Sequence, residues 1–153
     1  MSLIVYPYKR DPSTGKMEDL TKDSQSAGFE AWRAQVWGSE VVRSLHCQLL
    51  PSLEKGDIYA EGADLDQLEA EALLLLQQVN LIASRTRTME YRLLDRGEGP
   101  DIRVGTIDEE SAISLGVIKQ EGANPLRDRL RNILAAVRAA RELGEGHGGV
   151  YIG

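Results

Sequence analysis

The sequence predicts an α+β fold dominated by helices, in which a bundle of about four helices carries a small antiparallel sheet. Two long segments, 64–86 and 124–143, repeat apolar residues at spacings of three and four, which is the pattern of an amphipathic helix. Short stretches of β-branched and aromatic residues lie near both chain ends, at 3–8 and 150–152. A chain of 153 residues is long enough to bury its own core, so we expect 1–153 to form a single domain.

The first stretch predicts a strand that contains Pro7. Proline cannot donate a hydrogen bond to a neighbouring strand, so we expect this strand to lie at a sheet edge or to end early. Residues 9–26 follow as a predicted loop, because they are polar and include a strong turn signal at 11–15.

Helical spacing then begins with Phe29, Trp32 and Val36 on one face. Ser39 is a suitable N-cap for a second helix, which we expect to continue to near Pro51. After a turn at 55–57, residues 58–60 form a short predicted extended piece.

The clearest element is the helix predicted over 64–86. Asp64 is its expected N-cap, and Gln67 three residues later completes a capping-box pattern. Acidic side chains fill the first turns, where they complement the positive end of the helix dipole. We therefore interpret the acidic run from Asp57 to Glu71 as a solvated helix start rather than as a catalytic or cation-binding cluster.

Residues 88–107 alternate apolar and polar side chains on either side of a glycine-rich stretch, which predicts a β-hairpin. A helix that continues through Arg92 is the competing interpretation. A short helix is expected over 108–115.

The last helix has Asn124 as its expected N-cap, Pro125 at its first position and Gly144 just past its end. Its apolar stripe is expected to pack on that of the 64–86 helix. The C-terminal stretch 150–152 is expected to pair as a strand with residues 4–6.

Composition indicates a cytoplasmic protein. Cys47 is the single cysteine, and the N-terminus lacks the pattern of a secretion signal. The longest apolar run, 72–76, is far shorter than the ~20 residues that cross a bilayer as a helix. With 18 basic and 24 acidic side chains the net charge is −6, which disfavours nucleic acid and favours a basic partner protein.

No set of nucleophile, base and orienting group emerges from the sequence, so we expect no catalytic site, no metal site and no cofactor. His46 and Cys47 are adjacent, and on a helix their side chains would diverge by about 100°. Cys47 is therefore expected to be a buried structural residue. His147 lies in a glycine-rich tail whose glycines follow a helix, whereas phosphate loops place them before one.

Three groups of residues are candidates for interaction. Phe29, Trp32 and Trp37 would form a protein-binding hot spot if they were exposed. Arg127, Arg131 and Arg138 share a narrow arc of the last helix and could read phosphates or an acidic surface. The acidic Asp66 and Glu69 would instead pair with these arginines inside the same domain.

The function favoured by the sequence is a small protein interaction module, of which a bacterial immunity or antitoxin-like inhibitor of a basic protein is one concrete form. A nucleic-acid-binding regulator that uses Arg127, Arg131 and Arg138 is the first alternative. A small enzyme that uses His147, or His46 with Cys47, is the second. The broad apolar surface of the 64–86 helix leaves room for a homodimer.

Overall fold

The computed structural model describes residues 2–88, 90–93, 102–106, 118–119, 124–144 and 147–153. The strands of this part of the chain are β1 (Ser2–Arg10), β2 (Met17–Asp19), β3 (Gln25–Phe29), β4 (Ile58–Glu61), β5 (Glu90–Leu93), β6 (Ile102–Thr106), β7 (Ile118–Lys119) and β8 (Gly148–Ile152). Its α-helices are α1 (Glu40–Ser44), α2 (Ala63–Gln77), α3 (Val79–Thr86) and α4 (Pro125–Glu142). The predicted α+β class is confirmed.

The main sheet has five antiparallel strands, more than the small sheet that we predicted, and β1 lies at its centre. β8 pairs with one side of β1, and β4 pairs with the far side of β8. The other side of β1 is shared, because β3 pairs with its first half and β2 with its last residues. Tyr6 lies opposite Tyr151, so the predicted pairing of the two chain ends is confirmed.

The expectation that Pro7 makes β1 an edge strand, or ends it early, is wrong. The Pro7 carbonyl accepts a hydrogen bond from the Leu20 backbone N–H, so the nitrogen of Pro7 points to the shared side of β1. There it faces the gap between the pairing with β3, which ends at Val5, and the pairing with β2, which begins at Tyr8. No partner strand requires an N–H at this position, so a central strand can accommodate a proline.

The predicted loop over 9–26 is wrong as well. Part of it extends β1 to Arg10, and the rest contains β2, a turn of 3₁₀ helix at Thr21–Asp23 and the start of β3. Polar residues suit these strands because β2 is an outer strand with no buried residue.

Between β3 and β4 the chain is helical in short pieces. Phe29 ends β3 rather than starting a helix, and a π-helical turn follows at Arg33–Trp37. Ser39 caps α1 as predicted, accepting a hydrogen bond from the Val42 N–H, but α1 ends at Ser44 and not near Pro51. His46 takes a left-handed conformation with φ of 66°, which a helix cannot continue through. A 3₁₀ helix at Leu50–Glu54 leads to β4, where the extended piece was predicted.

The predicted 64–86 helix exists as two consecutive helices, α2 and α3, which are interrupted at Gln78. Its N-cap is Gly62, with φ of 59°, and not Asp64. Glycine adopts this positive φ without strain, so the chain can turn sharply from β4 into α2. The Gln67 side chain does not close a capping box but donates its amide N–H to Glu71.

The last helix follows its prediction. The Asn124 Oδ1 accepts a hydrogen bond from the Arg127 N–H, Pro125 occupies the first turn, and Gly144 lies just past the end. α4 packs against α2, as predicted, and against β1, β3 and β8. The core therefore lies between one face of the main sheet and the α2–α4 pair.

β5 and β6 pair in antiparallel fashion, which confirms the hairpin within 88–107 and excludes a helix that continues through Arg92. β7, which we did not predict, adds a third strand against β5. The helix predicted over 108–115 lies outside the described residues. Among the described helices, none is long and apolar enough to cross a membrane.

Candidate interaction site on the outer face of the main sheet

The two faces of the main sheet differ in composition because side chains alternate along each strand. One face supplies the core with Leu3, Val5, Ile58, Ala60, Val150 and Ile152. The opposite face presents Ile4, Tyr6 and Tyr8 from β1, Tyr151 from β8 and Tyr59 from β4. We call these five residues the tyrosine face. None of them belongs to the core cluster on the other face of the sheet, although Tyr6 and Tyr8 are themselves buried.

Three tyrosines form a row across the strands, because the register places Tyr6, Tyr151 and Tyr59 opposite one another on β1, β8 and β4. The ring centroids of Tyr6 and Tyr151 are 4.8 Å apart, and those of Tyr151 and Tyr59 are 5.1 Å apart. Both pairs are tilted, an arrangement that aromatic quadrupoles favour over a flat sandwich. The row is therefore a continuous set of aromatic contacts three strands wide, in which Tyr6 is buried, Tyr151 is half-buried and Tyr59 is exposed.

The next row along the sheet contains Tyr8, Gly149 and Glu61. A Cβ on Gly149 would lie 2.3 Å from the Tyr8 Cζ, so the ring of Tyr8 crosses the sheet over this glycine. Its hydroxyl donates a hydrogen bond to Glu61 on the far strand. The Arg10 Nε also donates to Glu61, at 2.9 Å, and the guanidinium carbon lies 5.8 Å from the centre of the Tyr8 ring.

A similar arrangement lies on the other side of the row. The Tyr151 hydroxyl donates to Asp57 at 2.9 Å, and the Arg33 Nη2 donates to the same carboxylate at 2.8 Å. Arg33 also donates to the carbonyls of Leu53 and Gly56, so it anchors the turn that leads into β4. Tyr59 thus lies between two carboxylates, Asp57 just before β4 and Glu61 at its end, each bonded to one arginine and one tyrosine.

The surroundings of these tyrosines disfavour their ionisation. Burial raises the pKa of Tyr151 to about 12, and the hydrogen bond to Asp57 adds to the rise. Burial also raises the pKa of Tyr6 and Tyr8, and the neighbouring carboxylates Asp19 and Glu61 act in the same direction. The hydrogen bond from Arg33 lowers the pKa of Asp57. At neutral pH the face therefore combines the neutral phenols of Tyr6, Tyr8 and Tyr151 with the ionised carboxylate of Asp57.

Tyr59 and Ile4 are the exposed members of the tyrosine face, with 51% and 39% of their surface accessible. Tyrosine is enriched in binding hot spots, because it offers a large rigid ring with a polar end. Aromatic rings beside carboxylates also attract cations, through the ring quadrupole and through charge. The face can therefore bind an apolar or cationic side chain of a partner.

The aromatic group proposed from the sequence is mostly internal. Trp37 is fully buried and donates its indole N–H to the Ala27 carbonyl at 3.1 Å, and Trp32 is also buried. Phe29 is 57% exposed and packs edge to face on Trp32. The two tryptophans are thus core residues, which removes them from the candidate interface and leaves Phe29.

The arginines of α4 divide into two groups. Arg141 pairs with Asp66 at 2.8 Å and with Glu69 at 3.4 Å, so the expected neutralisation of the acidic start of α2 does occur. Arg127, Arg131 and Arg138, which we had expected to take part, form no ion pair within the described part of the chain. Arg131 and Arg138 are exposed, and Arg127 is half-buried.

Cys47 is buried beside the carboxylate of Glu71. Burial raises the pKa of the thiol to about 11, and the charge of Glu71 raises it further. A thiol with this pKa is protonated at neutral pH and is a poor nucleophile. His46 is exposed, and its side chain makes no hydrogen bond to Cys47 within the described part of the chain.

Glu71 has a structural role that the sequence did not predict. Its carboxylate was expected to be solvated, but it is buried. It accepts backbone N–H hydrogen bonds from Gln48, Leu49 and Leu50, at 3.0 to 3.1 Å, and the amide N–H of Gln67 at 2.8 Å. The carboxylate thus caps the start of the 3₁₀ helix. The sequence did contain a signal for this burial, because Glu71 lies at the border of the apolar stripe of α2.

His147 lines an open cleft of roughly 530 Å³ together with Lys9, Asp11, Lys16 and Glu18. The Asp11 carboxylate is occupied locally, since it accepts hydrogen bonds from the backbone and hydroxyl of Ser13. No hydrogen bond joins the His147 side chain to a carboxylate among the described residues. The described part of the cleft thus brings acid–base groups together without a hydrogen bond between His147 and a carboxylate.

The sequence analysis missed the tyrosine face, although a signal for it was present. Three of the predicted extended segments carry a tyrosine between two smaller residues, at Val5-Tyr6-Pro7, Ile58-Tyr59-Ala60 and Val150-Tyr151-Ile152. Alternation along a strand places such a tyrosine opposite the buried face each time.

The chain matches no family model, no curated protein and no solved structure.

Proposed function

We propose that this protein is a small interaction module that binds a basic segment of a partner protein on the tyrosine face. The observation that carries the proposal is the half-exposed Tyr59 at the end of a tyrosine row, between the carboxylates of Asp57 and Glu61. An aromatic surface with an acidic border suits a side chain that has an apolar stem and a cationic end, such as lysine or arginine.

The protein contains an internal example of this recognition. The Arg10 guanidinium lies over the Tyr8 ring and bonds the Glu61 carboxylate at the same time. An arginine of a partner that approached Tyr59 would meet the same two chemical groups, a phenol ring and a neighbouring carboxylate. Because each carboxylate already has an arginine partner, the aromatic ring would provide the specific contact and the charge would contribute mainly to attraction over distance.

The negative net charge of the chain favours a positively charged partner. The chain carries −6 in total, which accelerates encounter with a basic protein and slows encounter with an acidic one. An immunity-like or antitoxin-like inhibitor that covers a basic toxin is one concrete form of such a module.

The first test is a titration of the isotopically labelled protein with hexa-arginine, followed by NMR. We expect the backbone amide shifts of Ile4, Tyr59 and Tyr151 to change most. Tyr59→Ala should weaken the binding at least about fivefold, because hot-spot residues contribute more than about 1 kcal/mol.

Leu73→Ala is the matched control, since Leu73 is 45% exposed on α2, outside the tyrosine face. This control should bind hexa-arginine as the wild type does, and hexa-glutamate should not bind at the tyrosine face at all. The proposal fails if hexa-arginine does not bind, if the shifts map to the acidic start of α2, or if both variants lose affinity equally.

A further inference from the structure

A second charged surface lies on α4, on the side of that helix that does not face the core. Successive residues of an α-helix are rotated by about 100°, which places Arg127, Arg131 and Arg138 within an arc of about 40°. At a rise of 1.5 Å per residue, the three positions span roughly 16 Å along the helix. We call these three residues the arginine stripe.

The stripe borders the buried residues of α4, because Arg127 is half-buried and lies about 60° around the helix from Leu130, whereas Arg131 and Arg138 are exposed. Leu126, Leu130, Ile133, Val137 and Ala140 enter the core, where α4 meets α2 and the inner face of the main sheet. The arginine stripe therefore lies on the exposed side of the helix layer, whereas the tyrosine face lies on the exposed side of the sheet layer. The two surfaces can bind different partners without competing.

The described arginines differ in whether they form ion pairs, and Arg85 and Arg129 resemble the stripe in forming none within the described part. Arg10, Arg33, Arg43 and Arg141 all pair with carboxylates there. The stripe has no such pair among the described residues, even though Asp128 and Glu142 lie on the same helix. No carboxylate of the described part therefore occupies its guanidinium groups.

We propose that the arginine stripe binds the phosphate backbone of a nucleic acid without reading its sequence. Guanidinium groups bind phosphate oxygens through paired hydrogen bonds, and a single row of them matches a linear chain of anions. An acidic protein surface is the other anionic partner to consider. Protein interfaces depend on buried aromatic or apolar anchors, and the apolar residues beside the stripe are Ala135 and the half-buried Leu134. The exposed carboxylates of Asp128 and Glu142 also lie on this side of the helix. A row of positive charge without an apolar or aromatic anchor favours phosphate groups over an acidic protein surface as the partner.

The affinity should be modest and strongly dependent on salt. Three phosphate contacts give a slope of about −2.7 in a plot of log affinity against log salt concentration for duplex DNA. Raising the salt from 50 to 200 mM should then weaken binding roughly 40-fold. The overall charge of −6 opposes binding and confines it to low salt.

Fluorescence anisotropy of labelled oligonucleotides tests the proposal, with duplex DNA, duplex RNA and single-stranded DNA as separate probes. We expect Arg131→Gln and Arg138→Gln each to reduce the magnitude of the salt slope on duplex DNA by about 0.9, and the double variant by about 1.8. Substituting the bases of the probe should leave the affinity unchanged.

Arg43→Gln is the matched control, because it removes the same charge from an arginine on α1 that is paired with Glu54. It should leave the slope unchanged. An equal effect of this control, an absence of binding to all three nucleic acids at low salt, or tighter binding of hexa-glutamate than of DNA would each overturn the proposal. Since the tyrosine face takes no part, these outcomes are independent of hexa-arginine binding.

Discussion

Glu71 shows at the scale of a single residue how much a position in the fold changes the role of a side chain. From the sequence it is one of several acidic residues near the start of a helix, where negative charge stabilises the helix dipole. In the structure it is buried and accepts the three consecutive backbone N–H groups of 48–50. It therefore connects α2 to the segment that carries Cys47.

Glu71→Ala should lower the free energy of unfolding by about 2–4 kcal/mol, because it leaves the buried N–H of Leu50 and the part-buried N–H groups of Gln48 and Leu49 without their acceptor. Urea denaturation with a two-state fit measures the loss. Glu69→Ala is the control on the same helix, since Glu69 makes only an exposed ion pair with Arg141 and should cost under about 1 kcal/mol. Equal losses in the two variants would contradict the capping role of Glu71.

At the scale of elements, β1 and β8 illustrate why strand register decides the outer face. The alternation of β1 alone predicts that Ile4, Tyr6 and Tyr8 share a face. Only the pairing with β8 places a glycine opposite Tyr8 and a tyrosine opposite Tyr6. β8 thus supplies Gly149, which leaves space for the Tyr8 ring, and Tyr151, whose ring continues the tyrosine row.

Gly149→Ala should destabilise the protein by about 2–4 kcal/mol, because the new methyl group would occupy the place of the Tyr8 ring and break its hydrogen bond to Glu61. Thermal or urea unfolding measures the change. Gly56→Ala, where a Cβ would meet open space, should stay within about 0.5 kcal/mol of the wild type.

A double variant separates this clash from a general effect on the strand. In Tyr8→Ala/Gly149→Ala the ring is absent, so the loss should be smaller than the sum of the two single losses. Additive losses would show that Gly149 does not accommodate Tyr8.

At the scale of the whole molecule, tyrosines from the two paired chain ends respond to the same kind of environment. The folded state raises the pKa of Tyr6, Tyr8 and Tyr151, so it holds their protons more tightly than the unfolded chain does. A group with a raised folded pKa contributes stability that is fully present below its unfolded pKa. That stability is lost as the pH rises through the folded value.

The free energy of unfolding should therefore fall as the pH rises above about 10, the usual pKa of tyrosine, with the contribution of Tyr151 lost by about pH 12. Urea midpoints over a series of alkaline buffers measure the decline, and phenolate absorbance reports the titration. Tyr151→Phe should show a shallower decline than the wild type. Parallel curves for the two proteins would contradict the assignment.

Residue patterns within short windows of the sequence were sufficient to predict much of the architecture. The α+β class, the last helix with its Asn124 cap, the Ser39 cap and the packing of α2 on α4 all follow from apolar periodicity and capping chemistry within short windows. The antiparallel pairing of the two chain ends was also correct. These features depend on neighbours in sequence or on burying one apolar stripe against another, and such information is visible in the chain.

The candidate sites depended on contacts between distant parts of the chain. Tyr6, Tyr59 and Tyr151 become one surface only when β1, β8 and β4 adopt their register, and Pro7 is tolerated only because two short strands leave a gap beside it. In the same way, Arg141 is neutralised by α2, whereas the arginine stripe on the same helix is left free for phosphate under our proposal. Sequence periodicity shows which side of an element is buried, but the identity of each partner is set by tertiary packing, because it is the folded backbone that brings remote side chains within bonding distance.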